Sequence, residues 1–405
     1  MEARILRPAW AEINLDRLCH NIHSIINRLT PQVKLLAVVK ADAYGHGAVP
    51  VASLAVQQGA SMLGVATVGE GIELRQAGIT APVLILGAID KTEADLVAEY
   101  VLTATVFTLP VAMALHAAGQ KRHSKVKCHI RIDTGGGTLG IPAQNVPVFL
   151  SKIKYLPGLE LAGVYTHLYA TYGYDGSLVR RQIDQFDAIM AVIKKLVPQP
   201  LVVHAASSPG IVSWPEAYYD MVRAGNLLYG LMPEIADERG ECRRMLTGQE
   251  YQTAMTAGEF LPVMQLKAKI VDVKKVLPGS LWLYGNKHQI HKESVIATVP
   301  LGYADGFPLA YLTNANVLVG GKKVAVIGKV VMDYFMVDVT GLPGVAVGDE
   351  VVIWGEQGGK TVTADEIALQ AQMKMLRGER SALVDTRVTR ASLCLLSNRL
   401  PRIYL

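Results

Sequence analysis

Short apolar runs, each bounded by turn residues, recur at regular intervals along the first 230 residues of the chain. Most of these runs are continuously hydrophobic rather than alternating, which is typical of parallel strands covered on both faces. Eight candidate strands occur: VKLLAVVKA, SMLGVATV, APVLILGAI, VLTATVF, KCHIRID, LELAGVYTH, PLVVHAASS and DMVRAGNLLYG. This part of the chain is therefore predicted to form a parallel sheet.

Segments with helical periodicity lie between the candidate strands. Their apolar residues recur at intervals of three and four, as in GAVPVASLAVQQGA, VGEGIELRQAG, VPVFLSKIKYL and LVRRQIDQFDAIMAVIKKLV. Eight alternating strand and helix pairs predict an α/β fold of the (β/α)8 TIM-barrel type. An open doubly wound sheet is the alternative, but no Gly-x-Gly-x-x-Gly sequence follows the first strand.

The pattern changes after residue 245. In this part, β-branched residues alternate with other residues, and Gly, Pro and Asn-Ala turns separate the runs. The segments with this pattern are VMQLKAKIVDVKKVLPG, ESVIATVPLGYADG, NANVLVGGKKVAVIGKVVMDYFMVDVTG and GDEVVIWG. This pattern predicts a mainly-β domain built largely of hairpins. We therefore divide the chain into a barrel of residues 1–245, whose first ten or so residues are candidates for packing on the other domain, and a C-terminal β domain of residues 246–405. The polar stretch 238–258 is predicted to connect them.

The composition narrows the class of protein. The chain has 405 residues, of which 50% are hydrophobic and 19% charged, so it can bury a large core in two domains. The net charge of +5 is small and the basic residues are dispersed, which argues against a nucleic-acid partner.

The chain also lacks the patterns of export and of metal binding. It has no apolar leader at its N-terminus and no run of eighteen uncharged apolar residues, so we expect a cytoplasmic protein with no membrane partner. The four cysteines (Cys19, Cys128, Cys242 and Cys394) are too far apart for a Cys-x-x-Cys motif. We expect free thiols and no metal site.

Polar residues follow several of the candidate strands, at the barrel face where active sites form. The first strand ends at Lys40, which is either a solvated lysine or a sheltered amine able to attack a carbonyl group. Other strands end at Arg131 and Asp133, at His167, at Ser207 and Ser208, and at Arg223 followed by Gly225. Together these residues predict a site for an anion and a ring, whereas taken singly the serines could be helix caps, the histidine a core residue and the arginine a surface residue.

The segment AVVKADAYGHGA, residues 37–48, resembles the pyridoxal-phosphate lysine motif of the alanine racemase family. Further segments resemble that family in the same order: WAEINLDRLCHNI, YTH, MVRAGNLLYG, LPVMQLKAKIV, VPLGYADGFP, VMDYFMVD, VGDEVVIWG and PRIY. The resemblance spans essentially the whole chain. It implies a (β/α)8 barrel, a C-terminal β domain, bound pyridoxal 5'-phosphate, an amino-acid substrate and a head-to-tail homodimer with shared active sites.

The resemblance also assigns roles to individual residues. It implies that Lys40 holds the cofactor as a Schiff base and that Lys40 and Tyr303 are the two catalytic bases. The residues implied to bind the rest of the cofactor are Tyr44, Ser208, Gly225 and Asn226 at the phosphate and Arg223 at the pyridine nitrogen, with His167 behind it. Met332 and Asp333 match the segment that the partner subunit contributes to the substrate pocket. Two bases on opposite faces of Cα are what racemisation requires.

The chain departs from the family pattern at three positions that bear on the substrate. Thr138 replaces an arginine that approaches the substrate carboxylate, and Arg131 replaces the lysine that holds that arginine in place. We expect Arg131 to bind the carboxylate, unless it only pairs with Asp133 or with another neighbouring acid. Arg390 stands where the family has a tyrosine that contacts the phosphate and limits the substrate side chain.

These departures leave alternatives open for the activity. The leading prediction is a racemase that interconverts L- and D-alanine. A racemase of the same family could instead act on a larger or polar amino acid such as serine or lysine. Less favoured are a barrel-type decarboxylase, which should carry a Cys and Asp motif where this chain has PLGYADGF, and a cofactor-binding protein with little turnover.

Overall fold

A computed structural model of the protein describes residues 7–169, 176–231, 258–279, 290–306, 315–364, 366–367, 396–397 and 399–405, and the backbone of four further short strands. Chain contacts divide the protein into two compact units. One contains residues 18–230 and 245–261, and we call it the barrel unit. The other contains residues 1–17, 231–244 and 262–405, and we call it the β unit. A single domain boundary at residue 245 remains a proposal.

The barrel unit is built around parallel strands, and all eight candidate runs form them in the described residues. Their order around the sheet is Met221–Ala224, Lys34–Val38, Met62–Val65, Val83–Ile85, Thr103–Val106, Val126–Asp133, Leu159–Thr166 and Val202–His204, and the two-residue strand Ile141–Pro142 pairs with Val126–Asp133. The first and last strands of this order approach each other at a parallel bridge between Ser207 and Arg223. The predicted (β/α)8 barrel is therefore confirmed, with a sheet that is nearly closed.

Helices follow the barrel strands, and each of the four helical segments predicted above is helical. Within the described residues the α-helices are Leu15–Arg28, Ala48–Gln57, Val68–Gln76, Ala94–Glu99, Leu109–Lys121, Val146–Ile153, Gly176–Leu196 and Ser208–Ser213. A short helical turn at Lys40–Gly45 has left-handed φ angles at residues 41–44. Short 3-10 turns occur at Lys91–Glu93, Ala143–Asn145, Pro215–Ala217, Asn226–Tyr229 and Tyr303–Asp305. Local signals define some of the ends: Thr67 and Glu70 form a capping box at the start of Val68–Gln76.

The β unit is mainly antiparallel, as predicted. Its sheet runs Asp272–Val276, Ser294–Val299, Phe335–Asp338, Lys322–Ile327, Asn316–Val319, Glu350–Gln357, Met264–Lys269, Ala9–Ile13 and Arg402–Tyr404, and Lys360–Val362 pairs with Glu350–Gln357. Tight hairpins turn at Gly320-Gly321 and at Gly358-Gly359, where all four glycines have positive φ. The strand Ala9–Ile13 pairs with Met264–Lys269, so the N-terminal strand belongs to this sheet.

Little of the predicted polar connection lies within the described residues. Its Cys242–Arg244 portion pairs antiparallel with Glu234–Ala236, and Leu281–Trp282 pairs with His288–Gln289 in the same way. None of the described helices combines the length and the apolar character that a membrane span needs. Cys19 and Cys128 are free thiols, and the described side chains contain no group of three or more potential metal ligands. The cytoplasmic location stays a prediction.

Candidate active site

A cavity of about 390 Å³ opens at the carboxyl ends of the barrel strands. It is lined by polar residues that end several different strands, together with Val38, Ala66, Leu86, Gly87, Leu139 and Tyr165. The polar lining residues are Lys40, Tyr44, Arg131, His167, Ser207, Ser208, Arg223 and Asn226, and Gly225 lies among them. Because parallel strands all end at one face of a barrel, residues distant in sequence meet here.

Lys40 reaches the cavity through an unusual turn of the backbone. The next four residues, Ala41–Tyr44, all have φ between 50° and 55°, the left-handed region that disfavours residues with a Cβ atom. Such residues cost of order 1 to 3 kcal/mol each and persist where the surroundings hold them. Here the Ala41 amide donates to the Glu70 carboxylate at 2.7 Å and the Ala48 amide donates to the Asp42 carboxylate at 2.8 Å. The strained turn presents both Lys40 and Tyr44 to one cavity.

Small residues and hydroxyl groups surround the Tyr44 side of the cavity. The Ser208 hydroxyl accepts the amide protons of Gly225 at 3.0 Å and of Leu227 at 3.3 Å, which leaves its own proton available to a ligand. A Cβ atom added at Gly225 would lie 2.8 Å from the Tyr44 hydroxyl oxygen, so a larger residue there would displace that hydroxyl group. The Tyr44 ring packs against the buried Tyr229 ring, with centroids 5.0 Å apart. This corner suits a phosphate group.

Arg223 also lines the cavity and is buried, with 4% of the residue exposed. Its guanidinium group is held by acceptors of the barrel. It donates to the carbonyl oxygens of Thr166 and Ala205, both at 2.9 Å, and to Nδ1 of His204 at 2.9 Å. Burial, the largest effect, lowers the pKa of Arg223 to about 10. The group therefore remains charged at neutral pH, and neutral acceptors from two other strands hold it in place.

Two histidines extend this network through the barrel interior. Because an arginine can only donate, Nδ1 of His204 must accept, and the proton of a neutral ring then sits on Nε2. That nitrogen lies 2.9 Å from Nδ1 of His129, which accepts it. Burial first and the Arg223 charge second lower the pKa of His129 to about 4 and that of His204 well below its ordinary value. Both rings are neutral acceptors at neutral pH.

Arg131 occupies another edge of the cavity. One of its terminal nitrogens donates to the Thr138 hydroxyl at 3.2 Å, and its guanidinium carbon lies 5.9 Å from the centre of the Tyr165 ring. Two polar lining atoms that are shielded from solvent, Nε of Arg131 and the Ser207 hydroxyl, have no hydrogen-bond partner among the described residues. A cationic group beside unsatisfied polar atoms fits a cavity that receives an anionic, polar ligand.

The chain matches the models of the alanine racemase N-terminal domain over residues 13–233 and of the alanine racemase C-terminal domain over residues 263–404. The chain belongs to the alanine racemase family. Among similar proteins, the alanine racemase of Desulfovibrio desulfuricans is 37% identical over 98% of both chains. That of Halothermothrix orenii is 36% identical over 100% of this chain and 98% of its own.

Solved structures of alanine racemases share the fold over the whole length. The Clostridium difficile alanine racemase superposes with a TM-score of 0.86 at 33% identity, covering 99% of this chain and 97% of its own. The alanine racemase of Bacillus anthracis with bound L-Ala-P has a TM-score of 0.86 at 31% identity, covering 100% of this chain and 96% of its own. These matches do not favour the decarboxylase or the binding protein considered from the sequence.

The predicted site residues fall into four groups in this alanine racemase family member. Eight of them line the barrel cavity: Lys40, Tyr44, Arg131, His167, Ser208, Arg223, Gly225 and Asn226. Thr138 is exposed and contacts Arg131. Tyr303, Met332 and Asp333 belong to the β unit, and all three are partly exposed there. Arg390 lies outside the described residues.

The residues that support the cavity-lining side chains were not predicted from the sequence. Glu70 holds the turn after Lys40, and His204 and His129 hold Arg223. Tyr165 stacks on His204 with ring centroids 4.7 Å apart. The available signal was that polar or aromatic residues interrupt otherwise apolar strands in KCHIRID, AGVYTH and PLVVH.

The chemistry of the cavity fits pyridoxal 5'-phosphate. A lysine amine, a hydroxyl-rich corner with close backbone approach at Gly225, and a charged arginine provide partners for an aldehyde, a phosphate and a ring nitrogen respectively. The unpartnered Ser207 hydroxyl adds one more donor. We find no lining residue that conflicts with this cofactor.

The neutral histidines predict a pH dependence of stability. The unfolded chain binds protons at His129 below about pH 6.5, whereas the folded chain binds them only near pH 4, so the free energy of unfolding falls as the pH falls through this window. His129→Asn keeps an acceptor near the Nδ1 position but cannot titrate. Urea unfolding should show that this variant loses about 1 kcal/mol per pH unit less than the parent between about pH 5 and 6.

The matched control is His123→Asn, which changes an exposed histidine of the same unit. This control should keep the parental slope of unfolding free energy against pH. An unchanged slope in His129→Asn would show that His129 is not held neutral in the folded protein.

Proposed function

We propose that this protein is a pyridoxal-phosphate-dependent racemase that interconverts L- and D-alanine. The observation that carries the proposal is the position of Lys40, just after a barrel strand and in the same cavity as the buried charge of Arg223, in a chain of the alanine racemase family. A racemase of that family that acts instead on a larger or polar amino acid is the second candidate, since Thr138 is a smaller residue than the arginine it replaces.

The residues proposed to hold the cofactor all line one cavity. Lys40 would bind it covalently, and Tyr44, Ser208, Gly225 and Asn226 would bind its phosphate. Arg390 is proposed as a further phosphate contact on the family resemblance alone. When bound, pyridoxal phosphate supplies an electron sink that stabilises negative charge at the substrate Cα.

Arg223 is proposed to face the cofactor's ring nitrogen, with His167 beside it. Nδ1 of His167 lies 3.4 Å from an Arg223 nitrogen, and burial followed by the Arg223 charge lowers the pKa of His167 to about 3. Arg223 can donate a hydrogen bond but does not readily give up its proton, because its pKa is about 10. We infer that the ring nitrogen stays unprotonated, which makes the ring a weaker electron sink and disfavours side reactions such as transamination.

Racemisation requires one base on each face of the substrate Cα. We propose that the Lys40 amine exchanges the α-proton of D-alanine and that the phenol of the partner subunit's Tyr303 exchanges that of L-alanine. A homodimer with shared active sites follows from the same resemblance, in which the partner's Met332 and the partner's Asp333 also border the substrate.

Arg131 is proposed to bind the substrate carboxylate. It lines the cavity, keeps an unpartnered Nε atom and is steadied by Thr138, which stands where the family's usual arginine would be. The arginine proposed to bind the carboxylate is thus at position 131, seven residues before position 138, where the family usually has it. A guanidinium group binds a carboxylate with paired, charge-assisted hydrogen bonds.

The proposed activity predicts D-alanine formation from L-alanine by the protein loaded with pyridoxal phosphate. Chiral chromatography should detect the product, and borohydride treatment should fix the cofactor on the peptide that contains Lys40. Lys40→Ala should abolish both the product and the label. Lys34→Ala, which changes an exposed lysine at the start of the strand that precedes Lys40, should leave both intact.

Failure to form D-alanine would overturn the alanine assignment. Activity on serine or lysine but not on alanine would favour the second candidate. A label on another lysine would contradict the role given to Lys40.

The carboxylate role of Arg131 predicts a loss of catalytic efficiency. Arg131→Gln should lower kcat/KM for alanine by about one to two powers of ten, because a charge-assisted hydrogen bond contributes roughly 1.5 to 3 kcal/mol. Arg131→Lys keeps the charge and should lose less, and Thr138→Ala, which removes only the steadying contact, should lose least. Steady-state kinetics in both directions would measure this series. Equal activity of Arg131→Gln and the parent would exclude Arg131 as the anchor.

A further inference from the structure

Two arginines and two aspartates meet beside Tyr303 in the β unit. Asp305 has no solvent exposure, and its carboxylate accepts from both terminal nitrogens of Arg7, one of them at 2.8 Å. Nε of Arg399 lies 3.5 Å from the same carboxylate, and its NH2 group donates to Asp333. We call these four residues the charge cluster.

The backbone around Tyr303 is tied to the cluster. The Asp305 carboxylate accepts the Gly302 amide proton at 2.8 Å, which closes the 3-10 turn Tyr303–Asp305 around it. The Asp305 carbonyl oxygen accepts from the Ser397 amide at 2.8 Å. Arg7 also donates to the carbonyl oxygen of Pro300 at 3.1 Å. The residues on both sides of Tyr303 are thus fixed by one buried side chain and its partners.

The same turn packs directly on the segment that contains Met332 and Asp333. The Tyr303 amide donates to the Val331 carbonyl at 3.2 Å, and the Ala304 amide donates to that of Met332 at 3.0 Å. A Cβ atom at Gly302 would collide with the Val331 and Met332 carbonyl oxygens. Because Arg399 contacts both aspartates, the cluster connects the Tyr303 turn to the Met332 segment through side chains as well as backbone.

The buried carboxylate of the cluster lies next to side chains that are exposed to solvent, an arrangement that a purely structural cluster does not require. Asp305 is fully buried, whereas the side chains it orders remain open: Tyr303 is 41% exposed and Met332 is 51% exposed. Burying a carboxylate away from water is costly unless cationic partners and hydrogen-bond donors surround it. The cluster therefore stabilises one backbone geometry from which uncovered side chains project.

We propose that Asp305 is a positioning residue for Tyr303. Through the charge cluster it holds the Tyr303 phenol in the position needed to reach a substrate bound in the partner subunit's barrel cavity. This inference rests on the proposed function, in which Tyr303 is the base for L-alanine. The Lys40 base belongs to the other unit, so a disturbance of the cluster should affect the two substrate enantiomers unequally.

The test compares exchange of the α-proton of L- and D-alanine with D2O, measured by NMR on the full-length protein loaded with pyridoxal phosphate. In Asp305→Asn, which keeps hydrogen-bonding atoms but removes the charge, L-alanine exchange should fall about tenfold or more and D-alanine exchange by less than about twofold, because misplacement of a catalytic group by about 1 Å costs up to about 100-fold. Hydrogen exchange with mass spectrometry should show faster exchange in the peptide that contains Gly302 and Tyr303.

Two further variants distinguish a loss of positioning from a loss of folding. Arg399→Gln, at a half-exposed position, leaves the Arg7 and Asp305 pair intact and should give the same imbalance with a smaller size. Glu12→Gln removes one of the two carboxylate partners of Lys267, in an ion pair of 2.8 Å with both side chains 14% exposed, in the same unit. This control should show no imbalance.

The possible outcomes separate this inference from the proposed function. If the parent protein exchanges neither enantiomer, the proposed function fails. If Tyr303→Phe loses L-alanine exchange selectively but Asp305→Asn and Arg399→Gln do not, the positioning role alone is overturned. Equal losses for both enantiomers in Asp305→Asn and Arg399→Gln would likewise overturn it.

Discussion

The burial of the Arg223 charge is the constraint on which the candidate site depends. A guanidinium group taken out of water must find acceptors for its protons, and none of the acceptors that the structure provides is itself charged. The carbonyl oxygens of Thr166 and Ala205 and the ring of His204 come from strands that neighbour one another near the closure of the barrel. The arginine thus organises that closure and keeps its positive charge beside the cavity. A carboxylate partner would have neutralised that charge, whereas neutral acceptors leave it available to a ligand.

The left-handed turn after Lys40 is a second constraint of the same kind. Its cost must be offset by the contacts of Glu70 and Asp42 and by the packing of Tyr44 on Tyr229. A regular right-handed α-helix that started at Lys40 would place residues 41–44 differently from the observed left-handed turn. The strain and the site therefore occur together, as they often do where a reactive group must be presented in one orientation.

The sequence predicted much of this arrangement, because the decisive signals were local. Continuous apolar runs indicated the barrel strands, and the polar residues just after them, such as Lys40 and Ser208, indicated the cavity. The supporting residues were not predictable in this way. His129 and His204 lie within strands, and only the folded barrel brings them together across 75 positions of sequence. Asp305 and Arg7 are 298 positions apart, and Ala-Asp-Ala-Tyr carries no glycine that would signal a left-handed turn.

The central claim is that two subunits each contribute a base to one site. The most direct measurement is the activity of a purified heterodimer, isolated by two different tags, in which one chain carries Lys40→Ala and the other carries Tyr303→Phe. If each active site takes Lys40 from one chain and Tyr303 from the other, one of the two sites in this heterodimer keeps both bases. The account therefore predicts alanine racemisation at about half the parental rate. Each mutant homodimer should be inactive. If both bases came from the same chain, neither site would be complete. An inactive heterodimer, with its assembly verified by mass spectrometry, would contradict the account.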